Sequence, residues 1–169
     1  MTREAPMRVP APTLSFLLSH PAHFVALGGG AGLSPVATGT TGTLVAFPIA
    51  WLLDAYAGTQ GFFIAIVAIT ALGVAATHVT ARDLGVADHG SIVIDEIAAF
   101  LLVLFFAGTD AVRQALAFVL FRVFDVVKPP PIRQVDARMH NAFGVMADDF
   151  LAAGYTLLTL ALVHRLFGI

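Results

Sequence analysis

The stretch "IVIDEIAAFLLVLFF", Ile92 to Phe106, decides how this chain folds. It sets two adjacent carboxylates, Asp95 and Glu96, at the mouth of a long apolar run. A charged acid at the centre of a bilayer costs on the order of 2.5–3.5 kcal/mol even on the gentler insertion scales. Such a pair therefore stands near an interface or is held in place for a purpose. The rest of the chain agrees that the surroundings are apolar. Of 169 residues, 58% are hydrophobic and only 12% are charged, and the mean hydropathy is +0.87. Soluble domains carry roughly a quarter charged residues, so too few remain here to cover a water-exposed surface. The composition points to an all-α, membrane-embedded helical bundle.

Five apolar segments carry that bundle: Leu44–Tyr56, Phe62–Val79, Ile92–Phe106, Ala111–Val127 and Phe150–Phe167. A full span needs about 20 residues, or about 17 at the least. The first and third segments therefore reach a spanning length only if their polar flanks are helical too. Thr13–Leu27, broken by Pro21, reads as a short interfacial or re-entrant helix. Residues 1–12 read as a flexible tail, and the whole of 1–169 as one domain. The start of the chain does not read as a signal peptide, since its apolar run soon meets His20, Pro21 and His23. Cysteine is absent, which excludes disulfides and thiolate metal sites. A net charge of −2 gives no hint of nucleic acid.

Laid antiparallel, the five helices bring the polar motifs to one side. The Gly- and Thr-rich stretch 28–43 opens the first, and Asp95 and Glu96 open the third. Asp125 and Lys128 close the fourth, and Asp148 and Asp149 open the fifth. Seven of the nine basic residues fall on that side, Arg113 and Arg165 on the other. By the positive-inside rule the motif side faces the cytoplasm.

Carboxylates drawn together repel one another unless a cation joins them. Asp95, Glu96, Asp125, Asp148 and Asp149 offer hard oxygen ligands of the kind that suit Mg2+. Asp95, Glu96, Asp125 and Asp149 are the candidate metal ligands. Arg122, Asp125 and Lys128 are spaced along one helical face, and Arg133 follows the proline break. An arginine fork and a lysine point charge both bind phosphate. The stretch "SPVATGTTGT" (34–43) has the composition of a phosphate cradle, with Ser34, Thr40 and Thr43 as hydroxyl donors and Gly39 and Gly42 allowing close approach. It lacks the GK[ST] ending of a Walker A loop. Together these features suggest metal-assisted phosphoryl chemistry on a lipid, by an attacking water or by a carboxylate nucleophile. Each feature also has a plainer reading. Acids at helix starts are favourable caps, Arg122–Asp125 is a local ion pair, and small residues help helices pack. A small cation transporter or channel using the same acids as ion ligands is the alternative function. It would place acids near the bilayer midplane and on both sides.

Four stretches together resemble the phosphatidylglycerophosphatase A family of bacterial membrane enzymes: "GLSPVATGTTGTLVAFP" (32–48), "DHGSIVIDE" (88–96), "FRVFDVVKPPPIR" (121–133) and "GVMADDFLAAGY" (144–155). The resemblance implies removal of the terminal phosphate of phosphatidylglycerophosphate to give phosphatidylglycerol, with Mg2+ required. It implies a phospholipid partner and a multi-pass protein of the bacterial cytoplasmic membrane, while a homodimer stays open. It makes Asp95, Glu96, Asp125, Lys128, Asp148 and Asp149 the essential polar set. Ile94, Pro130, Asn141 and Ala142 depart from the family's usual residues, at positions that touch lipid contact and loop shape rather than the acids. Neither the D-G…A-R…G…D…D run of the CDP-alcohol phosphotransferases nor the P-S-G-H of the histidine lipid phosphatases is present.

Overall fold

The computed structural model describes residues 11–86, 89–139 and 141–167, with the backbone alone at 167. Most of the tail expected over 1–12, and with it Arg3 and Arg8, lies outside the described residues, as do Asp88 and His140. The described chain is all-α. Helices α1 (Leu14–Ser19) and α2 (Pro21–Ala26) form a short hairpin, followed by a 3-10 segment at Gly28–Leu33. The five long helices are α3 (Thr38–Tyr56), α4 (Gly58–Leu84), α5 (Ile94–Ala107), α6 (Ala111–Val127) and α8 (Ala142–Phe167). A single-turn helix, α7 (Ile132–Asp136), sits in the loop between α6 and α8.

The long helices follow the five apolar segments, but three reach further than their apolar cores. Thr38–Thr43 forms the first turns of α3 rather than a loop ahead of it. Asn141 Oδ1 accepts from the Gly144 amide at the start of α8, so that helix begins two turns before Asp148. α4 runs on to Leu84, where Gly85 turns left-handed (φ 74°) and its amide caps the last carbonyls. Among the described residues two helices are long and apolar enough to cross a membrane, Gly58–Leu84 and Ala142–Leu166.

At the centre stands α5, which packs against α3, α4, α6 and α8. Ile97, Phe100, Leu101 and Leu104 are 2% exposed or less. Phe100 lies edge-on to Phe47 of α3 at 5.3 Å and meets Phe121 of α6 at the same distance. A run that is apolar all round is a buried helix, and "IAAFLLVLFF" is one. At 14 residues it is only about 21 Å long, against roughly 40 Å for α4.

The segment leading into α5 is pinned from several directions. The Val93 amide donates to the Ala26 carbonyl at 2.9 Å, and the Thr38 hydroxyl donates to the Gly90 carbonyl. Gly32 lies so close to the Ser91 carbonyl that a Cβ there would overlap it. A β-branched side chain at this crossing must push the two strands of chain apart. Gly32→Val is therefore expected to destabilise the protein by about 1–3 kcal/mol, read as a lowered thermal unfolding midpoint of the detergent-purified chain.

Candidate functional site

Two chain segments that are distant in sequence supply the tightest acidic group. Asp95 and Glu96 occupy the first turn of α5, and Asp149 comes from the third turn of α8, about 10 Å along that helix from its start. One carboxylate oxygen from each of the three lies within 4.8 Å of the others. Asp95 and Asp149 are buried, 6% and 4% exposed. The α5 amino terminus presents the positive end of its dipole to the pair of acids, and the Glu96 amide donates to Asp95 Oδ1 at 3.0 Å. Asp125, near the end of α6, lies against Asp149.

Two cations border the acids. The Arg122 guanidinium pairs with Asp125 at 2.8 Å and with Glu96 at 3.9 Å, and also donates to Thr43 Oγ1 at 3.3 Å. Lys128 caps α6 in the left-handed region, φ 46°, a backbone state uncommon for a residue with a side chain. Its ammonium reaches Asp148 at 2.6 Å and Asp136 at 2.8 Å. Burial works against the charge of Lys128, but its hydrogen bonds to Asp136 and Asp148 outweigh that and raise its pKa above the ordinary lysine range. The ammonium therefore stays charged, with one of its three protons uncommitted among the described residues. The loop that carries it is tied to α8, where the Tyr155 hydroxyl donates to the Pro130 carbonyl at 2.8 Å.

Of the residues singled out in the sequence, Asp95, Glu96, Asp125, Asp148, Asp149, Arg122, Lys128 and Thr43 come together. Three do not join them by any bond. The Ser34 hydroxyl donates to the Val36 carbonyl, the Thr40 side chain makes no hydrogen bond among the described residues, and Arg133 is exposed on α7. The Gly/Thr stretch also behaves differently from a loop cradle, because residues 38–43 are the first turns of α3 and from Thr41 onward the amides are spent on the helix. Thr43 donates to the Gly39 carbonyl at 2.8 Å while it accepts from Arg122. Gly39 faces Glu96 and Arg122, and a Cβ there would overlap the Glu96 carboxylate. Its smallness serves the approach of two side chains. Asp148 and Asp149 likewise do not open α8 but lie inside it, since 142–147 continue the helix.

Sequence reading missed Asp136. It follows Lys128 by eight positions across three prolines and a single helical turn, and no regular period carries across such a break. Several far-side and flanking residues have structural work. Asp110 caps α6, accepting from the Arg113 amide at 2.7 Å. His23 is buried, stacks on Phe16 and pairs with Asp83 at 3.0 Å. His89 accepts from the Ser91 amide. A cleft of about 570 Å3 opens at the opposite end of the bundle, lined by Phe47, Trp51, Phe62 and Phe105 with Asp54 as its one carboxylate; it lacks the convergent charges of the acidic end.

Glu96 Oε2, Asp148 Oδ1 and Asp149 Oδ1 are buried and have no hydrogen-bond partner among the described residues. An anionic oxygen removed from water without a partner is strongly unfavourable. Coordination to a hard divalent cation would satisfy such oxygens, so the donor set fits Mg2+.

The family model for phosphatidylglycerophosphatase A matches residues 24–164. A phosphatidylglycerophosphatase A of Escherichia coli is 41% identical over 136 residues, covering 80% of this chain and 78% of that protein. The Haemophilus influenzae protein of the same name is 39% identical, covering 87% of this chain and 91% of its own length. A Bacteroides thetaiotaomicron protein whose name gives phosphatidylinositol-3-phosphatase activity is 33% identical, with 85% and 94% covered. No solved structure matches the chain.

Removing the Arg122 charge leaves Asp125 and Glu96 without their cation, whereas Arg133 has no ion pair among the described residues. Breaking a largely buried pair costs about 3–5 kcal/mol. Arg122→Met is expected to lose about that much stability in metal-free protein, and Arg133→Met to stay within about 0.5 kcal/mol, both measured by thermal or denaturant unfolding in detergent.

Proposed function

The chain belongs to the phosphatidylglycerophosphatase A family of lipid phosphatases, and on that premise we propose that it hydrolyses phosphatidylglycerophosphate to phosphatidylglycerol and phosphate with Mg2+ as cofactor. The observation that carries the reading is the convergence of Asp95, Glu96 and Asp149 within 4.8 Å, flanked by Arg122 and Lys128. Asp95, Glu96, Asp125 and Asp149 would hold the cation. When bound, it supplies Lewis-acid polarisation of the phosphoryl group.

The chain's own residues then bind and orient the substrate. Lys128, fixed by Asp148 and Asp136, directs its remaining proton to a phosphoryl oxygen. Arg122, buttressed by Asp125 and Thr43, sets a second donor across the acids from it. Arg133, exposed on α7, would take the diester phosphate that joins the head group to the lipid. Ser34 and Thr40 belong to the same substrate-facing stretch, at its edge. In the net reaction the phosphorus–oxygen bond to the terminal glycerol oxygen breaks. That oxygen keeps the electron pair and takes a proton, and the phosphoryl group gains the oxygen of water.

We further propose that the protein is a multi-pass protein of the bacterial cytoplasmic membrane, with this site facing the cytoplasm. The outward faces of α4 and α8 expose Ile64, Leu72, Leu158 and Leu162, which suits contact with lipid. The acids gather at one end of the bundle instead of being distributed across it, which argues against the transporter reading.

Two outcomes test these proposals. Chelation is expected to abolish phosphate release from phosphatidylglycerophosphate in mixed micelles. Asp125→Asn is expected to lower kcat/KM at least about 100-fold, since metal ligands and their partners are typically worth that much. Activity that survives chelation overturns the metal role. A higher kcat/KM on phosphatidylinositol 3-phosphate than on phosphatidylglycerophosphate overturns the substrate. The chain has no cysteine, so single cysteines report topology cleanly. In intact cells a membrane-impermeant maleimide is expected to label Thr109→Cys and to spare Gly90→Cys, and the reverse pattern overturns the orientation.

A further inference from the structure

We propose that the acidic pocket holds two divalent cations that share Asp149, one on Asp95, Glu96 and Asp149 and the other on Asp149 and Asp125 beside Asp148. This rests on the metal-dependent reading above and goes beyond it in number and placement.

Charge makes the first argument. Lys128 is matched by Asp136 on its exposed side. That leaves Asp95, Glu96, Asp125, Asp148 and Asp149 facing Arg122 alone, a formal excess of four negative charges in a pocket where three of the five acids are under 10% exposed. A phosphate monoester arrives as a second centre of negative charge, close to −2 near neutral pH. With one divalent cation the pocket would still be doubly negative before substrate entered, and like charges in a poorly solvated site repel strongly. Two divalent cations bring it to formal neutrality, and the phosphoryl oxygens then complete their coordination.

Geometry makes the second argument. The orphaned buried oxygens are not all in one place. Glu96 Oε2 belongs to the α5 flank, Asp148 Oδ1 belongs to the flank nearest Lys128, and Asp149 Oδ1 is on the residue between them. Asp148 and Asp149 are 7% and 4% exposed, so neither free oxygen can turn to bulk water. The 4.8 Å group takes in Asp95, Glu96 and Asp149 but leaves out Asp125 and Asp148. Asp125 nonetheless lies against Asp149, and only its Oδ2 is engaged by Arg122. Mg2+ keeps several waters and is commonly held by one or two carboxylates plus substrate phosphate. The Asp125–Asp149 pair therefore suffices for a second ion, and a shared carboxylate is what places two ions within about 4 Å in two-metal sites.

Mn2+ serves as the probe for binding to the full-length, detergent-purified chain. Equilibrium dialysis followed by metal analysis is expected to give two ions per chain. The electron paramagnetic resonance spectrum is expected to change from an isolated-ion signal at low occupancy to that of a spin-coupled pair at saturation. Asp125→Asn is expected to bind one ion and to lose the coupled signal, with its unfolding midpoint confirming a folded protein. One ion per wild-type chain overturns this inference and leaves the metal-dependent reading standing, whereas no bound ion overturns both. A coupled pair that persists in Asp125→Asn overturns the placement of the second ion. The wild-type spectrum decides the number of ions even where a variant fails to fold.

Discussion

The constraint on which the structure depends is the burial of more carboxylates than cations inside an apolar bundle. Water solvates such a cluster only at its rim, so the fold must supply the compensation. It does so in three ways: the amino terminus of α5 is aimed at Asp95 and Glu96, Arg122 is wedged between Glu96 and Asp125, and Lys128 is drawn to Asp148. None of these neutralises the set. The unpartnered oxygens that remain give the pocket the donor chemistry to hold a cation, and the rest of the bundle keeps the acids together against their own repulsion.

Unequal helix lengths create the pocket. α4 and α8 run the full height of the bundle, while α5 has about half their length and starts within it. The described part of the descent into α5 runs through the interior, with Ser91, Ile92 and Val93 buried. Close crossings make that descent compact, with Gly32 against Ser91 and Gly42 against Val93. The α1–α2 hairpin, which carries no catalytic chemistry, contributes by clamping this segment through the Ala26 carbonyl and by fixing α4 through the His23–Asp83 pair. Stability and chemistry meet at the same few residues, and Gly39 is an example: its missing side chain is what lets Glu96 and Arg122 approach α3.

Membership of the phosphatidylglycerophosphatase A family gives this architecture a chemical context. A lipid phosphatase has to bring a charged phosphate together with an apolar tail, and an acidic and basic pocket within an apolar bundle is compatible with that need. The departures at Ile94, Pro130, Asn141 and Ala142 lie outside the ionic contacts described, so the charge arrangement does not depend on them. Asp136 adds a feature of its own. By pairing with Lys128 at 2.8 Å it also holds the ammonium in place beside Asp148.

The sequence by itself determined the all-α class, the five long helices and the gathering of the acids at one end. These follow from hydrophobic run length and from antiparallel order, both one-dimensional quantities. It also marked most of the polar set, because acids beside long apolar runs are costly enough to be conspicuous. Only the tertiary structure decided that Asp148 and Asp149 lie inside α8, that Gly39 makes room for Glu96 and Arg122 rather than for a ligand, and that Asp136 completes the grip on Lys128. Each depends on where two segments meet in space or on the path of the chain through a proline-rich turn, and no residue spacing encodes either.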